Sequence, residues 1–279
     1  MADILKKKNK RKILMLYVML GLCITAFLVF GGWLGYELYT DWQSQKYYKA
    51  LSADVESRPR EPGYSRPSTP PSEPPAPGED ADDEPDEEEE PEWVPYVDFA
   101  ALAERYPGVI GWIKLDDTAL DYPIMQTDNN WYYLGRLPDG TQHRSGSVFM
   151  DHRNSPDFSD RNSLLYAHYS RTDDMFGALK NYRKQTFFDE NPIMYIYTPT
   201  EDFVLVLFAG YLVDSGVEQP TRSFKDDSHF LDYIADLKRR SFFKTDVEVT
   251  AGDRIVSLCT CAYDYTNARL IIVGKLVEF

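Results

Sequence analysis

The stretch RIVSLCTC at residues 254–261, followed by LIIVGKLVE at residues 270–278, decides the fold of this chain. Both stretches have the length of a strand and are rich in apolar residues, a pattern typical of strands buried in a sheet. On a strand, residues two apart point to the same face, so Cys259 and Cys261 share one face. The sequence therefore predicts two core strands, the first of which ends with two thiols on one side.

Further strand-like runs lie upstream, separated by turn signals. Helical spacing of apolar residues predicts two short helices, at residues 98–106 and 227–240, and Pro107-Gly108 ends the first. Many short strands and few helices predict a mainly β fold, a closed or partly closed β-barrel with helical insertions. The predicted strands upstream cover residues 111–115, 120–125, 146–150, 163–166, 192–198 and 203–213.

The two thiols near the end of the chain allow four interpretations. A zinc site would need two more ligands, and no CxxC or paired-histidine spacing supplies them. A disulfide between positions i and i+2 of a regular strand has poor geometry, because the side chains run parallel and lie too far apart. Buried structural cysteines and a nucleophilic thiol are the other two, and periodicity alone favours the structural interpretation.

The residues around the thiols favour the nucleophilic interpretation over the structural one. Residues 257–261 read SLCTC, Arg269 follows eight residues after Cys261, and LLYAH at residues 164–168 ends in His168. This set resembles the sortase family: a TLxTC-like strand end, a histidine after a strand, and an arginine on the next strand. Other segments narrow the resemblance to class B sortases and extend it over nearly all of residues 98–279. They are GWI at 111–113, DYPI at 121–124, DN at 128–129, YYL at 132–134, GSVFMD at 146–151 and MFGALK at 175–180.

The resemblance implies catalytic roles for three residues. Cys261 matches the family nucleophile, and a thiol must become a thiolate to attack a carbonyl. His168 matches the family histidine, which would protonate the leaving amine and take a proton from the incoming one. Arg269 matches the family arginine, whose guanidinium can stabilise an oxyanion or hold substrate carbonyls. Considered alone, the histidine and the arginine would be assigned to the surface or the core.

The neighbours of the nucleophile are expected to contact the substrate. They are Ser257, Leu258, Cys259 and Thr260. The chain departs from the family pattern in having serine instead of threonine at position 257, and a second thiol, Cys259, at the variable position. We interpret Cys259 as a pocket neighbour, although oxidation could involve either sulfur.

By resemblance, the chain is expected to be a thiol-protease-like transpeptidase of a Gram-positive cell surface. Cys261 would cleave a C-terminal sorting signal in a secreted protein, after a threonine, and hold the acyl group as a thioester. An amine, expected from a peptidoglycan precursor of the cell wall, would then release it. No metal or organic cofactor is implied; some sortases respond to calcium, but the dispersed carboxylates here form no recognisable calcium loop.

Two other functions stay open at this point. One is a pilus-polymerising sortase, which would use a lysine amine instead of a wall amine. The other is a non-catalytic surface protein that binds sorting signals or partners. The intact cysteine, histidine and arginine motifs argue against the second alternative.

The N-terminus has the pattern of a membrane anchor. Residues 1–12 carry six bases and one acid, and residues 13–36 contain no charged side chain. A helix of about 20 apolar residues crosses a bilayer core, and the positive-inside rule then places residues 1–12 in the cytoplasm and the rest outside. The run is too long for the apolar core of a cleaved signal peptide. We expect an uncleaved, single-pass signal-anchor in the cell membrane.

Two segments separate this anchor from the predicted catalytic domain at residues 96–279. Residues 37–56 are mixed in composition and are expected to form a stalk that continues the helix briefly. Residues 57–95 hold eleven of the eighteen prolines and the acidic run 79–92. Prolines and repelling carboxylates prevent a core from forming, so this segment is expected to be a disordered linker. As a tether it could span up to roughly 100 Å.

Charge also excludes one class of partner. The formal net charge is −15 over 279 residues, and 14% of the residues are aromatic. Nucleic-acid binding needs a basic face, which a strongly acidic chain does not offer. The aromatic content is too high for a chain that is disordered throughout.

Overall fold

The computed structural model describes residues 2–56, 97–170, 173–261 and 267–278, and of residues 2–11, 13, 56 and 261 it describes the backbone alone. The chain divides into two compact units, residues 1–47 and residues 48–279. The predicted linker at residues 57–95 lies outside the described residues, so its disorder stays a prediction.

The first helix, α1, covers Ala2–Glu56. Along its apolar stretch the large side chains from Leu14 to Tyr36 are 43–76% exposed, so they pack into no protein core. By length and composition this helix could cross a membrane. The predicted span at residues 13–36 and the predicted stalk at residues 37–56 thus belong to one continuous helix. The stalk helix is longer than expected, since it runs through to Glu56.

Eight strands close into a barrel in the second unit, which confirms the predicted fold class. Around the barrel the order is β1-β2-β3-β4-β7-β8-β6-β5, and β5 pairs back onto β1. The pairs β2–β3 and β4–β7 are parallel and the other six are antiparallel. The strands are β1 Val109–Lys114, β2 Asp121–Met125, β3 Val148–Met150, β4 Asn162–Tyr166, β5 Ile193–Tyr197, β6 Asp202–Asp214, β7 Arg254–Cys261 and β8 Ala268–Glu278.

Two of the helices in this unit begin at the aspartates that cap them. Helix α2 covers Phe99–Arg105, and the Asp98 carboxylate accepts from the Ala101 N–H at 2.9 Å. Helix α4 covers Asp227–Arg240, and the Asp226 carboxylate accepts from the His229 N–H at 2.8 Å. Each cap satisfies a donor that the first turn of a helix leaves without a partner. Both helices lie where the apolar spacing predicts them.

Helix α4 covers one face of the sheet beside β6. Its buried residues Phe230, Ile234 and Leu237 join an apolar cluster with side chains of β6, β7 and β8. Cys259 of β7 belongs to the same cluster and is 4% exposed. Helix α4 therefore covers the part of β7 that holds Cys259.

Three short helical segments were not predicted. They lie between strands and have too few residues to show a helical period. The segments are the 3₁₀ turn Tyr133–Gly135, the 3₁₀ stretch Phe176–Arg183 and helix α3 Gln185–Glu190.

The end of α1 belongs to the barrel unit. Tyr48, Leu51 and Val55 are each 5–6% exposed. The Tyr48 hydroxyl donates to the Gly146 carbonyl at 2.6 Å, and the Tyr48 ring meets the Tyr122 ring edge-on at 4.9 Å between centroids. Part of the expected stalk is thus packed into the unit that holds the barrel.

Candidate active site

Three neighbouring strands bring the predicted catalytic positions to one edge of the barrel. β4 runs parallel to β7, with Tyr166 opposite Cys259. β7 runs antiparallel to β8, with Cys261 opposite Arg269. His168 follows Tyr166 by two residues, as Cys261 follows Cys259, and the Ala167 N–H continues the pairing by donating to the Cys259 carbonyl at 3.3 Å. Since adjacent strands lie roughly 5 Å apart, the three backbone positions are neighbours.

A backbone carbonyl orients the His168 ring. The ring nitrogen Nε2 lies 2.6 Å from the carbonyl oxygen of Leu134, in the 3₁₀ turn Tyr133–Gly135. A carbonyl can only accept, so Nε2 carries the hydrogen and Nδ1 is the basic nitrogen of the neutral ring. Such a contact fixes the tautomer and the ring orientation, which is the task of the third member of a catalytic triad.

Glycine at position 146 makes room for this carbonyl. Gly146 has a φ of 57°, in the left-handed region that favours glycine. A Cβ there would lie 2.6 Å from the Leu134 oxygen and 2.7 Å from the Tyr133 oxygen. The next residue, Ser147, donates its N–H to the Tyr133 carbonyl at 2.9 Å. The close approach therefore presents the Leu134 oxygen towards His168.

The Arg269 guanidinium is half-buried at the start of β8. Its Nη1 donates to the Ala268 carbonyl at 3.2 Å, and it forms no ion pair with the carboxylates of the described ranges. Its positive charge lowers the pKa of the Cys259 thiol, although burial has the larger and opposite effect. The cation therefore acts on the strand that carries both cysteines.

Burial makes Cys259 a poor nucleophile. Its Sγ lies 3.7 Å from the Ser257 carbonyl oxygen, within the apolar cluster under α4. Burial raises the pKa of the Cys259 thiol well above its ordinary range, and the attraction of Arg269 only partly offsets this. A protonated, buried thiol is inert towards electrophiles. The second thiol is therefore no competitor for the reaction as long as the strand is folded.

The four predicted substrate-contacting residues are all buried, between 0% and 4% exposed. The Ser257 hydroxyl donates to Asn162 Oδ1 at 3.0 Å, and Asn162 Nδ2 donates to the Thr221 carbonyl at 2.8 Å. Ser257 thus stabilises the loop between β6 and α4 through Asn162. The side chains of Leu258, Cys259 and Thr260 are packed in the interior. Contact between any of the four residues and the substrate stays a prediction.

The structure adds two features that side-chain patterns did not single out. The Leu134 acceptor is a backbone group, and no residue type marks a backbone acceptor. The other is Asp151, a fully buried carboxylate just after β3. The sequence did contain a signal for Asp151, because a charged residue directly follows an apolar strand there. A charge buried at such a position needs partners.

No cluster of three or more His, Cys, Asp or Glu side chains among the described residues could hold a metal ion. The expectation of a site without cofactor stays a prediction.

Native alkylation tests the difference between the thiols. We expect iodoacetamide at neutral pH to label Cys261 in the folded chain and to leave Cys259 unlabelled until the chain is unfolded, because only a thiolate reacts. Tandem mass spectrometry of the peptide that holds both residues reads out the position. The Cys261→Ala variant is the control and should take no label in that peptide. Labelling of both cysteines at similar rates in the folded chain would contradict the assignment.

Comparison with known proteins shows which family the chain is similar to. The family described as "Sortase domain" matches residues 113–277. Sortase B of Staphylococcus aureus (strain NCTC 8325 / PS 47) is 32% identical over 182 residues, which is 64% of this chain and 75% of that protein. Sortase B of Listeria monocytogenes serovar 1/2a (strain ATCC BAA-679 / EGD-e) is 33% identical over 171 residues, 61% of this chain and 70% of that protein.

A solved structure shows the same likeness in three dimensions. The Staphylococcus aureus sortase B–substrate complex superposes with a TM-score of 0.62 at 32% sequence identity, over 64% of this chain and 84% of that one. The closed barrel, the family match and the curated relatives therefore lead to one assignment: this chain belongs to the sortase family as a class B sortase, a cysteine transpeptidase.

Proposed function

We propose that this chain is a membrane-anchored, extracytoplasmic transpeptidase that cleaves a C-terminal sorting signal through a thioester at Cys261 and transfers the acyl group to an amine of the cell wall. The observation that carries the proposal is the register of β4, β7 and β8. It sets Cys261 opposite Arg269 and places His168 at the end of the neighbouring parallel strand.

In the first step, the Cys261 thiolate attacks the carbonyl carbon of the scissile peptide bond. Arg269 supplies a positive charge for the negative oxygen that forms, and the same charge favours the thiolate over the thiol. As the carbon–nitrogen bond breaks, His168 donates a proton to the leaving amine. The products are a thioester on Cys261 and a free C-terminal peptide.

In the second step, an amine attacks the thioester carbonyl. His168, now neutral, takes the proton from this amine, and the sulfur of Cys261 leaves as a thiolate. The Leu134 carbonyl holds the ring by Nε2–H in both steps, so that Nδ1 is the nitrogen that gives and takes the proton. The new amide bond joins the secreted protein to the acceptor, and the enzyme returns to its starting state.

The proposed partners follow from this reaction. The donor is a secreted protein with a C-terminal sorting signal, and the solved Staphylococcus aureus sortase B–substrate complex supports the binding of a substrate by a chain of this fold. The proposed acceptor is the amine of a peptidoglycan precursor. The apolar part of α1 is the proposed membrane span, with the basic residues 1–12 in the cytoplasm and the barrel outside.

Substitution of each cysteine tests the nucleophile. We expect Cys261→Ala to lower peptide cleavage by at least about 10³-fold, because no other group can form the thioester. Cys259→Ala is the matched control two residues away, and it should keep activity within about tenfold because the thiol is buried and protonated. Cleavage of a labelled sorting peptide by the full chain in detergent measures both. Equal losses in two folded variants would overturn the assignment.

Substitution of His168 and Arg269 tests the other two roles. We expect His168→Ala to lower turnover by about 10²–10⁴-fold, the usual range for loss of a general acid–base. For Arg269→Ala we expect about 10²–10³-fold, as for an oxyanion donor. The exposed residues His229 and Arg239 on α4 provide matched controls as alanine variants. Near-normal turnover in the His168 or Arg269 variant would remove that residue from the mechanism.

A further inference from the structure

Asp151 is a buried charge outside the three proposed catalytic roles. It follows β3 directly and is 0% exposed. A carboxylate is costly to bury unless charged and hydrogen-bonding partners surround it. Its partners therefore show what the residue holds together.

Arg153 supplies the balancing charge. Its Nε donates to Asp151 Oδ1 and its Nη2 to Oδ2, both at 2.8 Å, and its backbone N–H donates to Oδ1 at 3.0 Å. Burial raises the pKa of the Asp151 carboxyl. The hydrogen bonds from Arg153 and Asn130 together have a larger, opposite effect, so that this pKa lies well below the usual range. Asp151 is therefore ionised at any pH where the enzyme works.

The other two side-chain hydrogen bonds lead to His168 from opposite sides. The Tyr166 hydroxyl donates to Asp151 Oδ2 at 3.4 Å, and Tyr166 ends β4 two residues before His168. Asn130 Nδ2 donates to the same oxygen at 3.1 Å, and Asn130 lies four residues before Leu134, whose carbonyl holds the His168 ring. One carboxylate thus joins the end of β4, two residues before His168, to the segment that carries the acceptor of the histidine.

We propose that Asp151 is a positioning residue, which sets the His168–Leu134 hydrogen bond by tying Tyr166 and Asn130 to one point. The inference deepens the proposed function and rests on the role of His168 in it. The Asp151 carboxylate has no described hydrogen bond to His168 or Cys259. A small displacement of a catalytic group can cost about 10²-fold in rate, so loss of the tie reaches turnover through the ring of His168.

Kinetics and the nitrogen shifts of the imidazole test this inference together in the full chain. For Asp151→Asn we expect kcat to fall about 10–100-fold, with KM changed less than about threefold. The ¹⁵N shifts of the His168 ring should change from the Nε2–H tautomer of the wild type to a mixture of tautomers. His168→Gln assigns the signal. Tyr166→Phe removes one tie without leaving a charge unpaired, and should cause a smaller change in the same direction.

Asp160→Asn is the matched control. The Asp160 carboxylate stabilises the loop after β3 by accepting from Asn154 Nδ2 and the Ser155 N–H, both at 2.7 Å. It has no described hydrogen bond to Tyr166 or Asn130. It should leave kcat within about twofold and the His168 signature unchanged.

Two results would overturn the inference. One is unchanged kcat and unchanged ring shifts in folded Asp151→Asn. The other is a lower kcat with unchanged ring shifts, since this assigns Asp151 to stability alone. If Asp151→Asn fails to fold, Tyr166→Phe decides by the same two readouts. A wild-type chain that transfers no peptide, but whose His168 shifts respond to these variants, would refute the proposed function and not the positioning role.

Discussion

The parallel pairing of β4 with β7 is the constraint on which the site depends. It places Tyr166 beside Cys259 and carries His168 and Cys261 to the same barrel edge, while the antiparallel partner β8 adds Arg269. A slip of one residue in this register would turn the side chains of β7 to the other face of the sheet. The long crossover between β4 and β7 contains β5, β6 and α4, and α4 covers the part of β7 that holds Cys259.

In the proposed function, only one of the two cysteines on β7 reacts. Cys259 lies under α4, where burial raises the pKa of its thiol and keeps it protonated. Cys261 lies two residues further along, opposite the cation of Arg269. The backbone carbonyl of Leu134 takes the place that a carboxylate has in a serine-protease triad, since it accepts from the ring of His168. It brings no negative charge that would compete with the thiolate for Arg269.

The fold was largely predictable, because apolar alternation identifies strands and the Asp226 cap and apolar stripe identify α4. The three catalytic candidates were also recognisable, since their residue types and spacing match a family. Short 3₁₀ segments such as Phe176–Arg183 were missed, because they show no usable period. The Leu134 acceptor was missed because it is a backbone atom. The docking of Tyr48 was missed because its partner, Gly146, is 98 residues away in sequence and nothing local indicates the contact.

The central claim, that the acyl group passes through Cys261, is tested most directly by isolating the intermediate. A sorting peptide added to the wild-type chain without an amine acceptor, followed by rapid acid quenching, should leave the acyl mass on the protein. Fragmentation of the peptide with both cysteines should place that mass on Cys261, and hydroxylamine should remove it, as expected for a thioester. An adduct on Cys259, or peptide cleavage without any adduct under these conditions, would contradict the account.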